Sequence, residues 1–215
     1  MYKITDIAKE ISTGLTPLRS NPKYWDKGTI PWLKTEQIGQ FCIKDTSEHI
    51  TKYALEDTGL KLYPINTVSV AMYGEGKTRG RVSILNAPMT TNQACCNIVV
   101  DGNLADPFYV YYFLKTQYYN LRRLSSGVRK NLNSDDIKNY SINLPNKTTQ
   151  KKIVKILYCL DEKIELNNRI NSKLEQLSKD LYNYWFMQFD FPDEFGRPYK
   201  SSGGKMVYNE VLKRE

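Results

Sequence analysis

Positions 71–80, AMYGEGKTRG, contain the residue types from which proteins build phosphate-binding loops. A nucleotide-binding P-loop has the pattern Gly-x-x-x-x-Gly-Lys-Ser/Thr, in which backbone N–H groups cradle the phosphates and the lysine reaches the outer ones. Gly76-Lys77-Thr78 supplies the end of this pattern, but Ala71 stands where its first glycine belongs. A helix must also come after the loop, because its N-terminus faces the phosphates, whereas Thr78 precedes a β-branched run that favours a strand.

A β-hairpin with a cationic tip is the favoured alternative. Positions 68–72 and 81–85 are apolar, β-branched runs on either side of the glycine-rich turn, a pattern typical of paired strands. Lys77, Arg79 and Arg81 give the turn three positive charges, and its glycines allow the backbone to approach another molecule closely. A nucleotide hydrolase is the less favoured hypothesis, which a nucleotide-binding titration would decide.

The balance of charges indicates a polyanionic partner. The chain of 215 residues carries a net charge of +8, and positions 1–149 hold 19 of its 31 basic and 13 of its 23 acidic residues. Positions 107–134 contain no acidic residue. Five basic residues fall in that stretch, namely Lys115, Arg122, Arg123, Arg129 and Lys130. Such clustering in the first part of the chain, with aromatic residues alongside, predicts a nucleic-acid-binding face, against the alternative of a merely soluble basic surface.

Several other classes of protein are unexpected. The longest apolar runs are far shorter than the roughly 20 residues of a membrane-spanning helix, and the first residues do not form a secretory signal. Four cysteines without Cys-x-x-Cys spacing and a single histidine, His49, argue against a zinc site or a disulfide framework. The chain has no Asn/Asp-Pro-Pro-Tyr methyltransferase motif and no nuclease-like cluster of acids with a lysine. We therefore predict neither catalytic nor metal-binding residues.

The sequence divides near Leu144-Pro145. Positions 1–149 mix short apolar runs with a helix predicted over 108–124, opened by Pro107, which indicates a compact mixed α/β domain. Ser134 is the predicted N-cap of a short turn over 135–138. The inner stripe of the longer helix is predicted as Tyr109, Tyr112, Phe113 and Leu121.

From position 150 to about 186 the chain contains no proline or glycine, which permits one helix about 55 Å long. Its apolar residues recur mostly at steps of three and four, as in a seam that packs against another helix, although many such helices instead fold back on their own domain. Asn167 and Asn171 interrupt the seam, and polar residues in a seam fix register. The apolar members of the seam are Leu157, Leu160, Ile164, Ile170, Leu174, Leu177 and Leu181. We predict a coiled-coil-forming spacer helix over 150–187 and a tail over 188–215.

Short motifs along the chain match a known family in their order and spacing, although no single motif is specific. They are Gly14-Leu-Thr-Pro17, Tyr24-Trp25, Ile30-Pro-Trp-Leu33, the turn at 74–80, Thr91-Asn-Gln93, Leu144-Pro145, Gln150, Leu160-Asp-Glu-Lys-Ile-Glu165, Asn167-Asn-Arg-Ile-Asn171, Leu174-Glu175, Trp185-Phe186 and Gly196-Arg-Pro-Tyr199 through Met206. From end to end the chain resembles one half of the DNA specificity subunit of a type I restriction-modification system.

The resemblance implies a target-recognition domain followed by a helical spacer, usually repeated twice in one polypeptide so that two domains read the two halves of a split double-stranded DNA target. Methyltransferase subunits carrying S-adenosylmethionine dock on this scaffold, and restriction subunits join them. This chain stops at Lys213-Arg-Glu215, where a full-length member would enter its second recognition domain. We expect a homodimer through the spacer helix, no cofactor on this chain and a location in the bacterial or archaeal cytoplasm.

Under this resemblance the cationic turn meets DNA phosphates or base edges. Arginine reads guanine best, and asparagine or glutamine reads adenine. The predicted DNA-binding residues are Gln37, Lys77, Thr78, Arg79, Arg81, Arg129, Lys130 and Asn131. Asn92 and Gln93 are predicted to hold the fold instead. A stand-alone DNA-binding regulator that works without a methyltransferase stays open, and co-purification with a methyltransferase subunit discriminates it.

Overall fold

The structure, a computed structural model, describes residues 1–74, 76–124 and 131–205. The chain divides into two compact units, Met1–Cys159 and Leu160–Glu215. In the described ranges the strands are β1 (Tyr2–Lys3), β2 (Ala8–Thr13), β3 (Ile30–Leu33), β4 (Cys42–Ile43), β5 (His49–Ile50), β6 (Val68–Ala71), β7 (Val82–Leu85), β8 (Thr90–Thr91), β9 (Cys95–Val100) and β10 (Ser141–Ile142). The α-helices there are α1 (Lys52–Thr58), α2 (Pro107–Thr116), α3 (Tyr118–Arg123), α4 (Ser134–Lys138) and α5 (Lys147–Tyr182). This is the mixed α/β fold with one long helix that the sequence predicts.

A mixed sheet of order β2-β9-β6-β7-β4 forms the centre of the first unit. The predicted hairpin is confirmed, because β6 and β7 pair antiparallel with Val68 opposite Ile84 and Val70 opposite Val82. All residues of both strands are buried, with β9 antiparallel on one side of the hairpin and β4 parallel on the other. Two smaller sheets, β5-β3-β8 and β1-β10, complete the described strand pairing.

The predicted helix over 108–124 is divided in two. Gln117, with φ −88° and ψ 10°, ends α2 and precedes α3. Tyr112 and Leu121 are buried as predicted, but Tyr109 and Phe113 are only partly buried. Three further residues are fully buried instead, namely Val110, Tyr111 and Leu114. The stripe is wider than predicted because α2 packs both on the sheet and against other aromatic side chains, including Phe41 and Tyr158.

The start of α5 is tied to the start of α2 by one buried side chain. Gln150 is 1% exposed, and its amide oxygen accepts from the Asp106 N–H at 2.8 Å while its amide nitrogen donates to the Pro145 carbonyl at 2.7 Å. Asp106 in turn caps α2 by accepting from the N–H groups of Phe108 and Tyr109. A similar cap corrects the prediction for α4, where Asn133 and not Ser134 is the N-cap.

A close backbone approach explains two of the short motifs. The Leu15 N–H donates to the Thr91 carbonyl at 3.0 Å, and a Cβ on Gly14 would lie 1.9 Å from that same oxygen. Asn92 accepts from the Ala94 N–H at 3.2 Å, and Gln93 is hydrogen bonded to Thr16. Both polar residues therefore hold the fold, as predicted.

The second unit contains the remainder of α5, one π-helical turn over Asn183–Met187 and a folded tail. Asp190 is buried and accepts from both the N–H and the hydroxyl of Ser201, at 2.7 and 2.6 Å, and these hydrogen bonds lower the pKa of its carboxyl group. The rings of Phe191 and Tyr199 stack with centroids 4.9 Å apart. None of the helices in the described ranges is long and apolar enough to span a bilayer.

Gln150→Met should destabilise the first unit. The substitution keeps the volume but leaves the Asp106 N–H and the Pro145 carbonyl buried without partners, which should cost about 1–3 kcal/mol in the free energy of unfolding. Gln176→Met is the matched control, since Gln176 lies exposed on the same helix and should change stability by less than about 0.5 kcal/mol. Denaturant titrations measure both; equal losses would contradict a structural role for Gln150.

Candidate nucleic-acid interface

The turn between β6 and β7 has a backbone conformation that requires its glycines. The Gly80 N–H donates to the Ala71 carbonyl at 2.8 Å, and the Ala71 N–H donates to the Arg81 carbonyl at 3.0 Å. Gly74, Gly76 and Gly80 have φ angles of 130°, 65° and 83°, which L side chains rarely adopt. Ala71 lies inside β6, and Thr78 leads into the strand β7 rather than into the helix that a P-loop needs.

In the described ranges, which leave out Glu75 of the same turn, the positive charges of the turn have no acidic partner. Lys77 and Arg81 are exposed and Arg79 is half-buried, and none of them forms an ion pair with another residue in the described ranges. The Arg79 Nε atom is buried and has no hydrogen-bond partner among those residues. Burial, and after it the nearby charge of Arg122, lowers the pKa of the Arg79 guanidinium. An anion that reached this turn would therefore meet donors that the fold has not already used.

A groove of about 420 Å³ opens beside the turn. The Arg81 side chain crosses it so closely that a Cβ on Gly39 would lie 2.9 Å from the Arg81 Cδ atom. Lys115 of α2 adds a third positive charge to those of Lys77 and Arg81, with its Nζ atom 5.3 Å from the centre of the Tyr111 ring. The described residues that line the groove are Gly39, Lys77, Gly80, Arg81, Val82, Lys115 and Tyr118, and none of these is acidic.

Two side chains of the helix α3 donate hydrogen bonds to backbone carbonyls of the turn. The Tyr118 hydroxyl donates to the Lys77 carbonyl at 2.8 Å. The Arg122 Nη1 atom donates to the Arg79 carbonyl at 3.1 Å and to the Tyr118 hydroxyl at 3.2 Å. Sequence reasoning noticed Arg122 only as a charge and missed Tyr118, although a Tyr and an Arg four residues apart lie on one face of a helix.

The other predicted DNA-binding residues differ in their surroundings. Gln37 is half-buried and its amide oxygen accepts from the N–H of Ser47 at 3.3 Å; it is not among the described residues that line the groove. Thr78 is half-buried and its carbonyl accepts from the Arg81 N–H at 3.0 Å. Asn131 is half-buried and precedes Leu132, whose N–H donates to the Met72 carbonyl at 3.1 Å, next to the turn. Arg129 and Lys130 lie outside the described residues.

The apolar seam of α5 is open to solvent over most of its length. Its members from Leu160 to Leu181 are between 43% and 63% exposed, and Asn167 is exposed as well. The exposed apolar members are Leu160, Ile164, Ile170, Leu174, Leu177 and Leu181. Leu157 differs from them, because it is half-buried and packs against the core of the first unit.

A basic patch on one face of a domain is the electrostatic footprint of a nucleic-acid-binding face, and Lys77, Arg81 and Lys115 form such a patch in the groove. The family model described as "Type I restriction modification DNA specificity domain" matches residues 1–176, and the chain belongs to this family.

The particular relatives are specificity subunits from archaea and bacteria. The type I restriction enzyme MjaIX specificity subunit of Methanocaldococcus jannaschii is 30% identical over 220 residues, which cover 99% of this chain and 47% of that protein. The EcoR124I/EcoR124II specificity subunit of Escherichia coli is 25% identical, over 83% of this chain and 45% of that protein. The chain thus spans about half the length of the curated relatives it matches.

Solved structures support the fold. The S subunit of a type I restriction-modification system from M. genitalium superimposes with a TM-score of 0.64 at 21% identity, covering 88% of this chain and 46% of that one. At this identity the likeness establishes the fold, including the long helix.

Gly80→Ala should destabilise the protein more than Gly76→Ala. Both glycines have positive φ angles, so each alanine should cost about 1–2 kcal/mol in backbone strain. A Cβ on Gly80 would also lie 3.2 Å from the Arg122 Cγ atom, whereas nothing lies within 4 Å of a Cβ on Gly76. Free energies of unfolding from denaturant titrations measure the difference. A Gly76 variant as unstable as the Gly80 variant would contradict the packing of the turn on α3.

Proposed function

We propose that this chain recognises one half of a split target in double-stranded DNA, as the non-catalytic specificity component of a type I restriction-modification complex. The observation that carries the proposal is the cationic turn, whose Lys77, Arg79 and Arg81 form no ion pair with another described residue, beside a groove whose described lining residues include no acid. The names of the relatives support it, since they are specificity subunits of type I restriction enzymes.

Two kinds of DNA contact are assigned to the turn. Lys77 is exposed at its tip and carries a point charge on a flexible stem, which suits a phosphate. Arg79 and Arg81 carry the planar donor fork that matches the two acceptors on the major-groove edge of guanine. The remaining donors of the predicted set, Gln37 and Asn131, suit adenine.

Methyl transfer and DNA cleavage are assigned to partner subunits. Under this proposal S-adenosylmethionine is bound by a methyltransferase subunit that docks on the chain, and restriction subunits join the assembly. Selection of bound sequences from a randomised duplex library, with the full chain alone and after co-expression with a methyltransferase subunit, tests the proposal. We expect one enriched sequence and a co-purifying complex. Enrichment without co-purification would favour a stand-alone regulator, and no enrichment would refute DNA recognition.

Lys77→Ala and Arg81→Gln should affect DNA binding differently. Loss of Lys77 should weaken binding almost equally on all sequences and reduce the slope of log K against log salt by about one unit. Loss of Arg81 should cost about 1–3 kcal/mol on the selected duplex and much less on a scrambled one. Fluorescence anisotropy at several salt concentrations measures both, with Lys52→Ala, an exposed lysine of α1, as the control. Identical behaviour of all three variants would move the interface to another surface.

Assembly through α5 is the second part of the proposal. The exposed seam would leave a large apolar surface in water, and burial of about 1,000 Å² of apolar area is worth roughly 25 kcal/mol before the costs of association. A second copy, packed antiparallel about a two-fold axis, would cover the seam and bring Asn167 and Asn171 of each helix together near the axis. The target of the two copies should then be an interrupted palindrome, because the two recognition domains are related by the two-fold axis.

Leu174→Asp with Leu177→Asp should abolish the dimer. The two charges would be buried in the seam, whereas Ser172→Asp with Gln176→Asp adds the same charge on the opposite side of the helix and should leave the dimer intact. Sedimentation velocity at micromolar concentration measures the oligomeric state without partner subunits. A monomeric unmodified chain would refute the homodimer, and a monomer in both double variants would show that charge alone disrupts it.

A further inference from the structure

We propose that Tyr118 and Arg122 of α3, together called the clamp, are positioning residues that hold the β6–β7 turn in the conformation that contacts DNA. The inference rests on the proposed function of the turn and extends it to residues that touch the turn without belonging to it. Neither residue is in the predicted DNA-contacting set, and neither is assigned to contact a base here.

Both side chains bind the backbone of the turn. Tyr118 donates to the carbonyl of Lys77, and Arg122 donates to the carbonyl of Arg79, so the peptide groups that follow two of the recognition residues are fixed. Arg122 also donates to the Tyr118 hydroxyl, and its guanidinium carbon lies 5.3 Å from the centre of the Tyr118 ring. The two residues therefore act as one unit. Loss of either should disturb the contact made by the other.

The turn and the helix are in direct contact at Gly80. Gly80 is buried, and a Cβ there would lie 3.2 Å from the Arg122 Cγ atom and 3.4 Å from the Tyr118 carbonyl oxygen. No side chain of the turn separates the two backbones at this point. Movement of the tip therefore requires the hydrogen bonds to α3 to break.

The turn needs such support because of its own composition. Glycine at positions 74, 76 and 80 permits the observed conformation, but glycine also loses more conformational freedom on ordering than any other residue. A bidentate contact with a base tolerates a displacement of only about 0.5 Å. Ordering the turn before DNA arrives removes that cost from the binding step.

The chemistry of the clamp also suits a surface that meets DNA. A carboxylate could anchor a turn equally well by accepting backbone N–H groups, but its charge would repel phosphates and neutralise Arg79. Tyr118 and Arg122 bind carbonyl oxygens instead. Among the described residues, the turn is thus held by hydrogen-bond donors and not by a carboxylate.

The test uses the full chain with two conservative variants, Tyr118→Phe and Arg122→Lys. Each removes clamp hydrogen bonds but keeps the ring or the charge. Tyr119→Phe and Arg123→Lys are the matched controls, since these neighbours on α3 are exposed and make no hydrogen bond with another described residue. Hydrogen exchange of the peptide covering 73–82 reports the order of the turn without DNA. Affinity is measured on the duplex selected from the randomised library and on a scrambled duplex.

We expect both clamp variants to exchange faster by about fivefold or more at the amides of the turn and to bind the selected duplex about five- to tenfold more weakly. Binding to the scrambled duplex, the salt slope and the melting temperature should stay unchanged, which a general loss of structure would not allow. The double variant should be scarcely weaker than Arg122→Lys alone.

Unchanged exchange in the clamp variants would overturn the inference, and so would faster exchange with full affinity for the selected duplex. Control variants that behave like the clamp variants would also overturn it. If the unmodified chain selects no sequence, the proposed function fails, and the link between the clamp and sequence specificity fails with it. Faster hydrogen exchange in the clamp variants would then show that the contact of Tyr118 and Arg122 with the turn is purely structural.

Discussion

The pairing of β6 with β7 at the centre of the main sheet is the constraint on which the rest of the first unit depends. Both strands are fully buried, so a register slip would exchange every side chain between the two faces. A slip would also break two hydrogen bonds of Ser83, whose hydroxyl donates to the Gln40 carbonyl and accepts from the Gly39 N–H, each at 2.8 Å. Fixing this register fixes the length of the turn and the wall of the groove together.

Sequence reasoning recovered the elements that local patterns determine and missed those that depend on distant contacts. The hairpin and the long helix follow from β-branching and from the absence of proline and glycine. The break at Gln117 was missed because the apolar pattern continues through it. The clamp was missed because Tyr118 and Lys77 are 41 positions apart, a distance at which periodicity carries no information.

Several described acidic residues of the first unit stabilise the fold at positions that do not line the groove. Glu48 pairs with Arg19 and with Lys34, and hydrogen bonds from these partners lower the pKa of its carboxyl group. Glu10 pairs with Lys61, and Asp106 caps α2. These carboxylates are not among the described residues that line the groove, so the described residues of the domain segregate part of its charge.

Tyr118 and Arg122 donate hydrogen bonds to main-chain carbonyls of the turn, so these contacts do not depend on which side chains the turn carries. Tyr118 and Arg122 would find the same two oxygens whether positions 77 and 79 carried lysine, arginine, asparagine or glutamine. The glycines set the path of the turn and the helix α3 holds it, so the side chains on that path are free to vary independently of its shape. In a protein with this arrangement, a single substitution in the turn can change the preferred DNA sequence, because the hydrogen bonds that hold the backbone of the turn do not depend on the substituted side chain.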